Sequence, residues 1–283
     1  MHARPALRRI ARRAAGWYGW AQPGHAVTDF STTAAGLIAD PRFPAALAVA
    51  LVAGLVRGFS GFGSALIYVP LMAAIYEPRI AALTLLIVDF VASAPFTVPL
   101  TRRCNWREVA PVSLAAICTI PLGVAALEYL DPTLLRWFIA ILVIALLAAL
   151  VSGWRYRNAP TWPASVGVGL FAGLGAGAAQ IAGPAAIVYW LGGPNSATVI
   201  RANLMVYFAI LAIVSAIAYY SRGLFTADVL LLSLLLGPIF IVAMAAGAYL
   251  FRGASDHAYR RVAYAIIALS AVVSLPLFDE LFR

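Results

Sequence analysis

The chain has 283 residues, 63% hydrophobic and 11% charged, with a formal net charge of +9 whose positive side is arginine alone. Soluble domains carry about 25% charged residues, and runs such as Trp137 to Gly153 and Val229 to Leu250 approach or exceed the roughly 20 apolar residues that cross a bilayer core. This balance excludes an ordinary soluble fold and leaves few polar side chains for enzyme chemistry. Because the arginines sit at the ends of apolar segments, they read as headgroup anchors rather than as a nucleic-acid surface.

Residues 1–42 form a basic arm, arginine-rich and then aromatic. It is expected to lie on the membrane surface or to be disordered; it lacks the apolar stretch that a signal peptide needs. Eight hydrophobic elements follow: Phe43–Tyr76, Ile80–Leu100, Val109–Leu130, Leu134–Ser152, Pro163–Leu191, Ile200–Tyr220, Val229–Phe251 and Val262–Leu277. The expected fold is an all-α polytopic membrane protein, with residues 43–283 as a single transmembrane domain. The two cysteines, Cys104 and Cys118, match no metal spacing and read as unpaired thiols. The three histidines (His2, His25, His257) lie outside the apolar spans, so neither a metal site nor a cofactor is expected.

The first and fifth elements are unlike the rest. Each opens as a helix, meets a cluster of glycines (Gly58 to Ser64, and Gly173 to Gly177), and is expected to break there and resume past Pro70 or Pro184. Several glycines within a few residues, each costing about 1 kcal/mol against alanine, weaken a mid-helix turn. Gly54/Gly58 and Gly169/Gly173 also fit a small-residue packing face. Gly54, Gly58, Gly123 and Arg136 find counterparts in the same order at Gly169, Gly173, Gly247 and Arg260, which predicts two related four-element halves, about 43–153 and 163–277. If the broken elements are re-entrant, each half crosses three times and the halves are inverted. The loops with Arg102/Arg103/Arg107, Arg155/Arg157 and Arg252/Arg260/Arg261 then share the cytoplasmic side. Eight simple crossings are the alternative.

Irregular backbone survives in hydrocarbon only where it is buried or lines a polar cavity. A broken helix offers a fresh N-terminus whose amides and dipole attract anions. Paired broken segments in two halves therefore point to a transporter site near the midplane. The candidate binding residues are Ser60, Gly61, Gly63, Ser64, Gly175, Gly177, Gln180, Gly183, Pro184 and Asn203. Charged residues inside spans are functional candidates: Arg57 as a fixed charge or a snorkelling anchor, Arg201 as a ligand or a headgroup anchor, and Asp89 as a proton-coupling site or the partner of a buried arginine.

The Gly61-x-Gly63…Pro70 segment, Gly183-Pro184, and Ile200-Arg201-Ala202-Asn203-Leu204 followed by Gly223 resemble the TauE/SafE family of sulfite exporters, also called the 4-toluene sulfonate uptake permease family, over about Phe43 to Leu277. The resemblance implies a bacterial inner-membrane transporter with two related halves that moves sulfite, sulfonates, sulfoacetate or thiosulfate. The chain departs from the family's usual three consecutive glycines, reading Gly61-Phe62-Gly63-Ser64-Ala65 at one tip and Gly175-Ala176-Gly177-Ala178-Ala179 at the other. The expected partners are a small anion and the lipid bilayer, with no nucleic acid; a homo-oligomer is left open. The expected function is secondary transport. No GxxxxGK[ST] motif offers coupling to ATP. A non-transporting membrane subunit and an intramembrane enzyme are the competing readings.

Overall fold

The computed structural model describes residues 30–60, 63–152, 161–191 and 195–250, with the isolated positions 268 and 272. The described residues are all-helical, without a strand. The first forty residues are a unit of their own, in which α1 (Phe30–Ala39) is the described helix. From Pro41 onward the helices are α2 (Phe43–Ser60), α3 (Ser64–Ile75), α4 (Pro78–Leu100), α5 (Trp106–Tyr129), α6 (Pro132–Val151), α7 (Trp162–Ala179), α8 (Gly183–Leu191), α9 (Ala197–Ser221) and α10 (Ala227–Leu250). The eighth expected element, Val262–Leu277, lies outside the described residues but for the two isolated positions.

Five helices are long and apolar enough to cross a membrane, namely Pro78–Leu100, Trp106–Tyr129, Trp162–Ala179, Thr198–Ser221 and Ala227–Tyr249. Their outward faces are as apolar as their inward ones. Leu114, Leu122, Ile217, Leu234 and Val242 are exposed, while Ile120, Tyr219, Leu236 and Phe240 are buried. Helices apolar all round belong in lipid. Prolines at 95, 99, 111, 121 and 238 stand inside these helices, as spanning helices tolerate when neighbours satisfy the freed carbonyls.

The first and fifth elements are each a helical hairpin. At the open end of α2–α3 the Arg42 guanidinium lies 4.8 Å from the Tyr76 ring centroid, so the start of α2 meets the end of α3. At the open end of α7–α8 the hydroxyls of Ser165 and Tyr189 are 2.5 Å apart. The two hairpins open at opposite ends of the bundle. Hairpin α2–α3 leads straight into α4, whose Arg79 donates to the Glu128 carbonyl at the end of α5 (3.2 Å). Hairpin α7–α8 opens beside the start of α5, where the Asn195 amide donates to the Glu108 carboxylate at 2.7 and 2.8 Å.

Glycine spacing decides the packing. Added Cβ atoms at Gly169, Gly173 and Gly177 would sit 2.3, 2.2 and 2.2 Å from the carbonyl oxygens of Val112, Ala116 and Ile120. This places α7 parallel to α5 at backbone contact, and the Thr119 hydroxyl donates to the Leu170 carbonyl (2.8 Å) across the seam. Gly54 and Gly58 lie in the same way against Phe240 and Met244, setting α2 along α10, while Gly247 sits against Leu55.

The expected break at Gly173–Gly177 is corrected here: α7 continues to Ala179 and the chain turns at Gln180. The small-residue seam with α5 outweighs the helix-propensity cost of the glycines. Resumption past the prolines is corrected too. α3 begins at Ser64 and carries Pro70 inside it, whereas α8 begins at Gly183 with Pro184 in its first turn, where the missing N–H has no helical partner to lose.

Candidate functional site: a cavity between two hairpin tips

The two tips meet. One cavity is lined by Gly63, Ser64, Ala65 and Leu66 from the first tip and by Ala176, Gln180, Ala182, Gly183 and Ile187 from the second. Leu85, Leu86, Asp89 and Phe90 of α4, Phe208, Leu211 and Ala212 of α9, and Arg57 of α2 complete it. Both hairpins thus deliver the start of their second helix to one space.

At the first tip Gly63 caps α3 with φ 92°, a left-handed conformation that costs a side-chain-bearing residue about 1–2 kcal/mol. At the second tip Gln180 takes the left-handed cap (φ 56°), and the Ile181 N–H reaches back to the Gly175 carbonyl at 3.0 Å. A Cβ on Gly175 would stand 2.4 Å from the Ile181 carbonyl, so only glycine lets the chain fold back over α7. Tyr219 of α9 secures this turn: its hydroxyl donates to the Gly177 carbonyl (2.7 Å) and accepts from the Gln180 Nε2 (3.2 Å). The second amide hydrogen of Gln180 goes to Ala176 (3.1 Å).

Arg57 is the cavity's cation. It is 5% exposed, and it pairs in parallel with Asp89: its Nε is 2.8 Å from Oδ1 and its Nη2 donates to Oδ2 at 2.9 Å. The Nη2 also reaches the Ser93 hydroxyl at 2.9 Å, and the guanidinium lies 5.8 Å from the Phe208 ring centroid. From the first residue of α3, the Ser64 hydroxyl donates to Asp89 Oδ1 at 3.2 Å. The Asp89 carboxylate therefore lies between a planar fork on one side and a hydroxyl at a helix N-terminus on the other. Of the two roles open to Asp89 in the sequence, partner of a buried arginine is a geometric fact.

Other expected residues lie elsewhere. Gly175 and Gly177 line no part of the cavity; the first underlies the turn and the second packs on α5. Asn203 is fully buried outside the cavity. Its Oδ1 accepts from the Asn105 N–H (2.7 Å) and its Nδ2 donates to Glu108 (3.3 Å). Arg201 is exposed and away from the cavity. Gly61 lies outside the described residues, as do the side chains of Ser60 and Pro184. Sequence reasoning missed Ser93, Phe208, Tyr219 and the Glu108, Asn105 and Asn195 cluster that Asn203 joins. Ser93 alone carried a signal, its spacing of four from Asp89 on a helix.

The model of the sulfite exporter TauE/SafE family matches residues 46–274. The chain belongs to this family. No curated protein and no solved structure matches it. As a TauE/SafE member with five helices long and apolar enough to cross a bilayer, it is a multi-pass membrane protein of a transporter family. Among its described residues no cluster of His, Cys, Asp and Glu is placed to hold a metal ion.

Proposed function

We propose that this TauE/SafE chain is a secondary transporter of a small sulfur-containing oxyanion or sulfonate in a bacterial inner membrane, working by alternating access around the two hairpin tips. The observation that carries the reading is the convergence of both tips and a buried arginine on one cavity. Each helix N-terminus contributes about half a positive charge, and a guanidinium matches the flat edge of a sulfur or carbon oxyanion. Ser64, Gly63, Gly183 and Arg57 are the binding residues of this reading. Gln180 lines the same cavity with both amide hydrogens already engaged, so it shapes the wall rather than donating to the anion, and Ser60, Gly61 and Pro184 complete the tips.

Two inverted halves fit the same helices. The opening helix of each half lies along the second crossing of the other, α2 on α10 and α7 on α5, while α4 and α9 meet between them. Parallel α5 and α9, tied near both ends, are what three crossings per half produce; eight simple crossings would make them antiparallel. The domain boundaries proposed are the arm of residues 1–42 and the transporter domain of 43–283.

The test is uptake of radiolabelled sulfite, thiosulfate and methanesulfonate into proteoliposomes containing the purified chain alone, compared with Gly183→Leu. The nearest neighbours of a Cβ at Gly183 are Phe208 and Ile187, at 3.4 and 3.6 Å, so a leucine projects into the cavity. The expected result is uptake of at least one anion, reduced at least tenfold in the variant. Uptake of cations or neutral solutes only would remove the substrate class. Equal uptake by the variant would remove the site.

A further inference from the structure

We propose that Asp89 is an internal stand-in for the transported anion, and that one proton on Asp89 releases Arg57 and Ser64 to that anion, so that anion and proton cross together. This inference rests on the anion-binding reading above and adds the coupling ion. Asp89 already uses the donors an oxyanion needs: both arms of the Arg57 fork at 2.8 and 2.9 Å, and the Ser64 hydroxyl at 3.2 Å. An anion cannot share them with a carboxylate, because two negative charges would then sit within a few ångströms in a poorly hydrated space. Protonation removes the conflict. The carboxylate takes one proton from the aqueous side to which the cavity is open, Arg57 keeps its own proton, and the guanidinium turns its fork to the anion. The occupied cavity then holds Arg57 cation, substrate anion and neutral Asp89, the same net charge as the empty one.

Among the described residues, nothing else on the cavity wall can take this role. Arg57 and Asp89 are the ionisable residues of the described lining. α3 contributes Ser64 at the tip, and its Tyr68 is fully buried and bonded to Thr84 at 3.0 Å. α9 and hairpin α7–α8 present apolar groups and Gln180. The ionisable side chains of α10, which packs along α2 and α4, are Asp228 and Tyr249, at the two ends of that helix. The sign follows: binding takes up a proton, so affinity is highest in acid and falls as pH rises. The slope for one coupled proton is about tenfold per pH unit wherever the unliganded protein holds the carboxylate ionised. For a monoanion the carried charge is zero, so influx follows a pH gradient and ignores membrane potential.

The experiment is calorimetric titration of the detergent-purified protein with methanesulfonate and thiosulfate, which keep their charge between about pH 5 and 8, in two buffers of different ionisation enthalpy to count protons. Wild type should take up close to one proton per anion and weaken with rising pH. Asp89→Asn, which keeps a carbonyl oxygen for Arg57, should bind without proton uptake and with a flat pH profile. A melting transition near that of the wild type checks that the variant is folded. The wild-type proton count needs no variant, so a misfolded Asp89→Asn does not leave the idea untested. PH-independent binding without proton uptake in the wild type would overturn the coupling and leave the anion site standing. Absence of binding by either probe at any pH would overturn the anion site itself.

Discussion

At the scale of single residues, the pair Arg57–Asp89 organises the cavity, and the sequence shows only half of it. Two charges in apolar segments stand out as expensive and therefore purposeful. That they pair across 32 residues depends on how α2 is set against α4, which no local pattern records. Removing one member of such a pair strands the other in a medium that solvates it poorly. Asp89 is 24% exposed and Arg57 5%, so the larger loss comes from stranding the arginine: Asp89→Leu should lower stability by about 3–5 kcal/mol, and Arg57→Met/Asp89→Leu should recover most of it. Denaturant unfolding in detergent measures both; a double variant no more stable than the single would mean that the pair is solvated rather than buried. Asn203 teaches the opposite lesson. A buried amide near a broken segment looks like a ligand, but its partners are Asn105 and Glu108, and those come from the start of α5, about a hundred residues away.

Among the elements, the long apolar runs were legible within a few residues, because periodicity and length survive without tertiary information. Gly58–Ser64 was also read correctly as a break. The glycines of α7 were not, since a cluster of small residues either breaks a helix or seats it on a neighbour. The choice rests with the carbonyls of Val112, Ala116 and Ile120 on α5. A leucine at Gly177 therefore tests that seam rather than ligand binding. The turn at Gln180 is held by Tyr219, and this gives a clean comparison between two buried tyrosines. Tyr219→Phe leaves the Gly177 carbonyl without its hydroxyl donor and Gln180 without an acceptor, a loss of about 1–3 kcal/mol. Tyr207 is also fully buried, but its hydroxyl has no partner among the described residues. Tyr207→Phe removes an unsatisfied group of the same kind and should cost less than about 0.5 kcal/mol. Thermal melts of the two variants side by side measure the difference, and equal losses would mean that the Tyr219 contacts do not hold the turn.

For the whole molecule, hairpins that open at opposite ends make a sidedness prediction. In a background with Cys104→Ser and Cys118→Ser, Arg102→Cys and Leu130→Cys lie at opposite ends of α5, and both positions are exposed. The arginine-rich side should be cytoplasmic. A membrane-impermeant maleimide should then label Leu130→Cys in intact cells and Arg102→Cys only in inverted vesicles; the reverse pattern would invert the assignment. The order of glycines and arginines in the two halves hinted at this arrangement, but direction needed the contacts at helix ends. Those end contacts carry a further consequence. Near their starts α5 and α9 are joined by amides on Glu108, with Asn203 fully buried. Near their finishes they are joined by the ion pair of Glu128 with Arg222, at 2.8 Å and with Arg222 39% exposed. Dissolved ions screen an exposed ion pair more than they touch part-buried amide–carboxylate hydrogen bonds. The two ends of the α5–α9 pair are thus fastened by different chemistry, so brine should loosen the Glu128–Arg222 end while the Glu108 end holds.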